Sequence, residues 1–67
     1  MPTKETADIK LKLQTIFNNL IIDLDTMERE IWDEMGKHHP DFLKAIESRK
    51  HLENALNEIE LAMEKLP

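Results

Sequence analysis

Residues 36–40, Gly36-Lys37-His38-His39-Pro40, divide the chain once, between two long segments whose apolar residues recur every three or four positions. That spacing places the apolar side chains of each segment on one face of a helix. Gly36 suits the position just past a helix C-terminus, and Pro40 suits the first turn of the next helix. The sequence therefore predicts one all-α domain over residues 1–67, with helices at about 4–35 and 40–66 and a turn at 36–39.

The first helix has two candidate N-caps, Thr3 and Thr6, because a threonine hydroxyl can accept a hydrogen bond from a free amide of the first turn. Its apolar face spans about 140° of the circumference, more than a single partner helix covers. The residues of this face are Ile9, Leu13, Ile16, Phe17, Leu20, Ile21, Leu24, Met27, Ile31 and Met35. A face this wide predicts contact with more than one other helix.

The second helix carries a heptad-like apolar seam in which one member is charged. Its members are Phe42, Ala45, Ile46, Arg49, Leu52, Leu56, Ile59, Met63 and Leu66. A turn of about four residues makes the two helices antiparallel neighbours, so the numbers of facing residues should add to about 76. This register sets apolar residues opposite one another, as with Leu20 and Leu56, and it predicts an antiparallel hairpin.

The charge distribution favours the same arrangement. Residues 23–35 contain six acidic residues and one arginine, whereas residues 36–51 contain four basic residues and two acidic ones. An antiparallel fold places these two segments side by side, so opposite net charges meet.

The chain contains 67 residues and no cysteine, so neither a disulfide nor a thiolate metal site adds to its small core. We therefore expect two hairpins to bury their wide apolar faces together as a homodimeric four-helix bundle with coiled-coil packing. The expected interface residues are Ile9, Leu13, Ile16, Phe17, Leu20, Leu24, Met27, Ile31, Leu52, Leu56, Ile59 and Met63. A helix from a different protein is the alternative occupant of this face.

Arg49 lies on the apolar seam, and a charge in such a position needs a partner. The predicted register places it near Met27, between Asp23 and Glu30. We expect one of these carboxylates to form a structural ion pair with Arg49 that sets the helix register. An anion-binding role for Arg49 is the alternative.

The turn region contains nitrogen and oxygen donors in Glu34, His38, His39 and Asp41, but their spacing matches no metal-binding motif. A histidine near a helix C-terminus also complements the helix dipole. The sequence therefore predicts neither a metal site nor a cofactor.

Trp32 lies at the edge of the apolar face, and tryptophan is enriched at the energetic centres of protein interfaces. With Asp33 and Glu34 it forms a candidate surface for a partner protein. The alternative is that Trp32 closes the end of the core against Phe42 or Met35.

The sequence contains no serine–histidine–acid order and no glycine-rich phosphate loop, so we expect a non-enzymatic interaction or regulatory module without catalytic residues. Without a long apolar run or a leader pattern, we expect it to be cytoplasmic and not to bind a membrane. The net charge of −5 opposes nucleic-acid binding, because phosphate groups require basic partners. The alternative functions are an RNA-binding four-helix-bundle dimer and a subunit whose apolar face binds a different protein.

Overall fold

The computed structural model describes residues 3–67. In that range the chain forms α1 (Lys4–Arg29), a π-helical segment (Glu30–Met35) and, after a turn, α2 (Phe42–Glu64). Because α2 runs back along α1, the molecule is an elongated hairpin of 54 × 15 × 10 Å. The prediction of an all-α hairpin of two helices is confirmed.

α1 begins after Thr3, which is its N-cap. The Thr3 hydroxyl oxygen accepts a hydrogen bond from the Thr6 amide at 3.2 Å, and the two threonine hydroxyls lie 3.0 Å apart. Glu5 adds a negative charge in the first turn, where the helix dipole favours it. Of the two threonines expected as caps, Thr3 holds the position and Thr6 lies inside the helix.

We call α1 together with the π-helical segment, Lys4–Met35, the first arm of the hairpin. The end of the first arm differs from the predicted α-helix, because Glu30–Met35 is π-helical. The Gly36 amide closes this segment by donating to the Ile31 carbonyl, five residues earlier, at 2.9 Å. The acceptor of this bond, Ile31, is buried, and the extra residue that a π-helical turn encloses rotates the residues that follow it relative to a continuous α-helix.

α2 begins at Phe42, two residues later than predicted, because the turn extends through Asp41. His39 makes three hydrogen bonds within this turn. Its amide donates to the Gly36 carbonyl at 3.1 Å, and its own carbonyl accepts from the Phe42 amide at 3.1 Å. The His39 ring atom Nδ1 accepts from the Asp41 amide at 3.0 Å. The Asp41 side chain makes no capping hydrogen bond, and His39 instead accepts from the amides of Asp41 and Phe42 at the start of α2.

The core of the hairpin is small. Among residues 3–67 only Leu24, Ile31 and Phe42 are buried, with exposed fractions of 4%, 6% and 7%. Trp32 packs edge-to-face on Phe42 with ring centroids 5.1 Å apart, yet Trp32 itself stays 54% exposed. The large apolar side chains left exposed are Ile9, Leu11, Ile16, Ile21, Ile22, Trp32, Leu43 and Leu61. A single hairpin therefore leaves much of its apolar surface in water.

Replacement of Gly36 by alanine is expected to destabilise the hairpin by about 1–3 kcal/mol. Gly36 has φ 79° and ψ 153°, a backbone conformation that is essentially restricted to glycine. No atom lies within 4 Å of an added Cβ, so the loss would come from backbone strain and not from a clash. Urea unfolding followed by circular dichroism measures the effect, with Lys37→Ala in the same turn as the control. If Gly36→Ala were as stable as the wild type, the backbone conformation at residue 36 would not strain an alanine.

Candidate interaction surfaces

One long side of the hairpin carries two lines of residues spaced by seven positions, and such a spacing keeps residues on nearly the same helix face. Glu30 and Ser48, one from each line, border the same hollow, so both lines lie on this side. We call it the isoleucine–alanine face. Its residues are Ile9, Ile16, Asp23 and Glu30 of the first arm and Ser48, Ala55 and Ala62 of α2.

The isoleucine–alanine face changes character along its length. Toward the chain termini the first arm presents Ile9 and Ile16, which are 51% and 53% exposed. Toward the turn the same line continues with the exposed carboxylates of Asp23 and Glu30. The first arm is therefore apolar over one half of this face and acidic over the other.

The turn end of the isoleucine–alanine face contains an open hollow of about 500 Å³. Its floor is apolar, and its rim carries two carboxylates and a histidine. The lining residues are Met27, Glu30, Ile31, Glu34, Met35, His39, Ala45 and Ser48. Protein interfaces have an apolar centre and a polar rim, and this hollow has the same pattern. It is open, whereas a site that binds a small molecule is usually an enclosed cleft.

Arg49 lies at the centre of the opposite long side of the hairpin. We call this side the arginine face. The residues of this face are Ile21, Glu28, Trp32, Ile46, Arg49, Lys50 and Glu53. The Arg49 Nε atom donates to the backbone carbonyl of Leu24 at 2.9 Å. One terminal nitrogen pairs with Glu53 on the next turn of α2, and the other lies 3.7 Å from the Glu28 carboxylate. With its side chain only 20% exposed, Arg49 links α2 to α1 through Leu24 and Glu28, while Glu53 holds its guanidinium from within α2.

The partners of Arg49 differ from the expected carboxylates, Asp23 and Glu30. The predicted register brings Arg49 to nearly the correct level of α1, but it does not specify the side. Around α1, Glu28 lies about 40° from Leu24 toward Arg49, whereas Asp23 and Glu30 lie about 100–120° away in the other direction. Those two acids therefore belong to the isoleucine–alanine face, and Glu28 and Glu53 take their place.

Arg49→Met is expected to lower the free energy of unfolding by about 1–3 kcal/mol, because it removes the hydrogen bond to Leu24 and the partner of Glu53. The matched control is Arg29→Met. Arg29 pairs with Asp25 at 3.6 Å, but both side chains are about 70% exposed, so we expect a loss of roughly 0–1 kcal/mol. Urea denaturation compares the two variants. Equally small losses would show that Arg49 does not stabilise the hairpin.

The three residues of the expected partner surface, Trp32, Asp33 and Glu34, do not lie together in the structure. Trp32 borders a concavity of about 130 Å³ on the arginine face. Asp33 and Glu34 border a different concavity beside Arg29. Trp32 also packs on Phe42 and covers one end of the core, which agrees with the alternative interpretation of this tryptophan.

The residues of the expected dimer interface fall into three groups by exposure. Leu24 and Ile31 are buried inside the hairpin, where a second chain does not reach them. Ile9 and Ile16 are exposed. The half-buried members are Leu13, Phe17, Leu20, Met27, Leu52, Leu56, Ile59 and Met63. The expected interface residues do not include Ser48, Ala55 and Ala62, which lie on the same side, although their regular seven-residue steps are a usable signal.

The turn histidines do not form part of a metal-binding cluster in the structure. Across residues 3–67, no group of three or more histidine, aspartate or glutamate residues is placed to hold a metal ion. In the same range no helix combines the length and the apolar character that a membrane crossing requires.

Comparison with protein-family models, curated proteins and solved structures gives no significant match to this chain. Its function must therefore be inferred from its own surfaces.

Proposed function

We propose that this chain is a non-enzymatic protein-interaction module that self-associates, with two hairpins packing through their isoleucine–alanine faces into a four-helix bundle. The observation that carries the proposal is the large accessible surface of one hairpin, which includes exposed isoleucines on this face.

The accessible surface of the hairpin is 5440 Å². A compact folded monomer of this mass has about 4,400 Å², so the excess is on the order of 1,000 Å². Each partner in a standard protein interface buries roughly 800 Å². Association of two hairpins over one face would therefore bring the exposed area of each chain close to that of an ordinary folded protein.

The isoleucine–alanine face suits this role better than the arginine face. It sets exposed isoleucines beside small residues, and small residues let helices approach closely. The arginine face carries Glu28, Lys50 and Glu53 as well as Arg49, and these groups would lose hydration if a second helix covered them. We therefore assign the interface to the isoleucine–alanine face and leave the arginine face in solvent.

The test is the solution mass by light scattering over a dilution series, with helicity measured on the same samples. We expect about twice the chain mass of 7.9 kDa at high concentration, and loss of helicity as dilution separates the chains. A mass of 7.9 kDa with full helicity at every concentration would overturn the proposal. So would a single chain that becomes helical only when a different protein is added, since that protein would then be the occupant of the face.

A further inference from the structure

We propose that the two hairpins of this dimer pack with their turns at the same end, so that the first arm of each chain lies against α2 of its partner. This inference rests on the proposed self-association and specifies the arrangement of the two chains. It follows from the order of side chains along the isoleucine–alanine face.

Two-fold symmetry allows two arrangements in which the hairpins overlap over their full length. If the axis runs along the hairpin, the turns share one end and each first arm faces α2 of the partner. If the axis runs across the hairpin, the turns lie at opposite ends and each first arm faces the partner's first arm. The facing helices are antiparallel in both arrangements, so the side chains of the face must distinguish them.

The first arm is a poor partner for a second copy of itself. Its line is apolar at Ile9 and Ile16 and acidic at Asp23 and Glu30. An antiparallel copy would set the exposed isoleucines against the partner's acids and desolvate carboxylates that have no cation opposite them. A shift that pairs Ile9 with the partner's Ile16 would overlap only the terminal halves of the hairpins and leave the rest of the face in water.

α2 of a partner with its turn at the same end complements the apolar half of the first arm. Ile9 would lie within about one helical turn of the partner's Ala62, and Ile16 within about one turn of the partner's Ala55. The two isoleucines and the two alanines are each seven residues apart, so two large side chains meet two small ones at matching intervals. Alternation of large and small residues across facing positions fills the space between helices without voids.

The same arrangement also complements the acidic half. Glu30 would face the partner's Lys44, and Asp23 would lie near the partner's Ser48 and His51. All five side chains are exposed in the single hairpin and free to turn toward a second chain. Ammonium, hydroxyl and imidazole N–H groups all donate to carboxylates, so the acids of each first arm gain partners that the opposite-end arrangement does not provide.

Distances between spin labels distinguish the two arrangements, and the absence of cysteine lets single cysteines be labelled without background. The label sites are Lys37→Cys in the turn and Lys65→Cys at the other end, both exposed positions. With turns at the same end, dimers labelled at one site should give short distances, roughly 20–30 Å, because packed helices lie only about 8–10 Å apart. Mixed dimers labelled at residue 37 in one chain and 65 in the other should give a long distance that approaches the 54 Å length of the hairpin.

The opposite-end arrangement predicts the reverse pattern. Dimers in which both chains are labelled at the same residue would give long distances, and the mixed dimer would give a short one. That result, with a dimeric mass by light scattering, would overturn this inference and leave the proposed self-association intact. A monomeric mass for the unlabelled protein would instead overturn the proposed function itself.

Discussion

Leu24→Ala is expected to leave the chain largely unfolded at room temperature. Leu24 is the most buried of the three core residues, with 4% exposure, and leucine-to-alanine changes in a core cost about 2–5 kcal/mol. A domain this small without a disulfide rarely has more than about 3–5 kcal/mol of stability in total. The cavity would also open beside the backbone carbonyl that accepts from Arg49, so it would weaken a polar link between the two helices.

Leu11→Ala is the matched control, because it makes the same substitution in the same helix at a side chain that is 67% exposed. We expect its stability to change by no more than about 0.5 kcal/mol. Urea unfolding by circular dichroism should compare both variants at one fixed protein concentration, since the proposed self-association would add to apparent stability. A loss below about 1 kcal/mol for Leu24→Ala would mean that Leu24 is not part of a packed core.

The helices and the turn could be predicted because local signals suffice for them. Apolar spacing identifies both helices, and Gly36 marks the end of the first one with a positive φ of 79°. The antiparallel register also follows from a short turn. Arg49 reaches Leu24, and Trp32 packs on Phe42; the residue numbers of each pair add to two or three less than the predicted value of about 76.

The π-helical segment and the partners of Arg49 could not be predicted because they depend on three-dimensional packing. The residue types at positions 30–35 do not distinguish an α-helix from a π-helix, and the π-helical hydrogen bond from the Gly36 amide to the buried Ile31 is seen only in the folded hairpin. For Arg49 the register gives the level along α1. The side that its guanidinium reaches depends on how α2 is rotated about its own axis, so Glu28 was not foreseen.

The candidate interaction surface was predicted only in part. Apolar periodicity identifies the apolar residues as one group, but it does not separate the core of the hairpin from the apolar surface that the hairpin leaves exposed. The structure makes that separation, since it buries Leu24 and Ile31 and leaves Ile9 and Ile16 about half exposed. Trp32 likewise lies apart from Asp33 and Glu34, because it borders a concavity on the arginine face and they border a different one beside Arg29.

Ile16→Glu is expected to weaken self-association by at least about 100-fold, which corresponds to roughly 2.7 kcal/mol. Ile16 is 53% exposed and lies near the middle of the isoleucine–alanine face, so a glutamate there would bury a carboxylate against apolar groups of the second chain. With the turns at opposite ends, the same carboxylate would instead meet the acidic residues of the partner's first arm. Both arrangements are therefore weakened, so the variant tests the face and not the arrangement. Sedimentation equilibrium measures the dissociation constant directly.

Ile22→Glu is the control that separates loss of the interface from loss of the helix. Ile22 lies in the same helix and is 62% exposed, but it points away from α2 and from the isoleucine–alanine face. Both variants replace an exposed mid-helix isoleucine with glutamate, so their effects on helix propensity and net charge are the same. If only Ile16→Glu dissociates the dimer, the self-association depends on the isoleucine–alanine face. If both variants remain dimeric, or both dissociate equally, the second hairpin does not pack on that face, and the isoleucines and alanines on it are ordinary exposed residues.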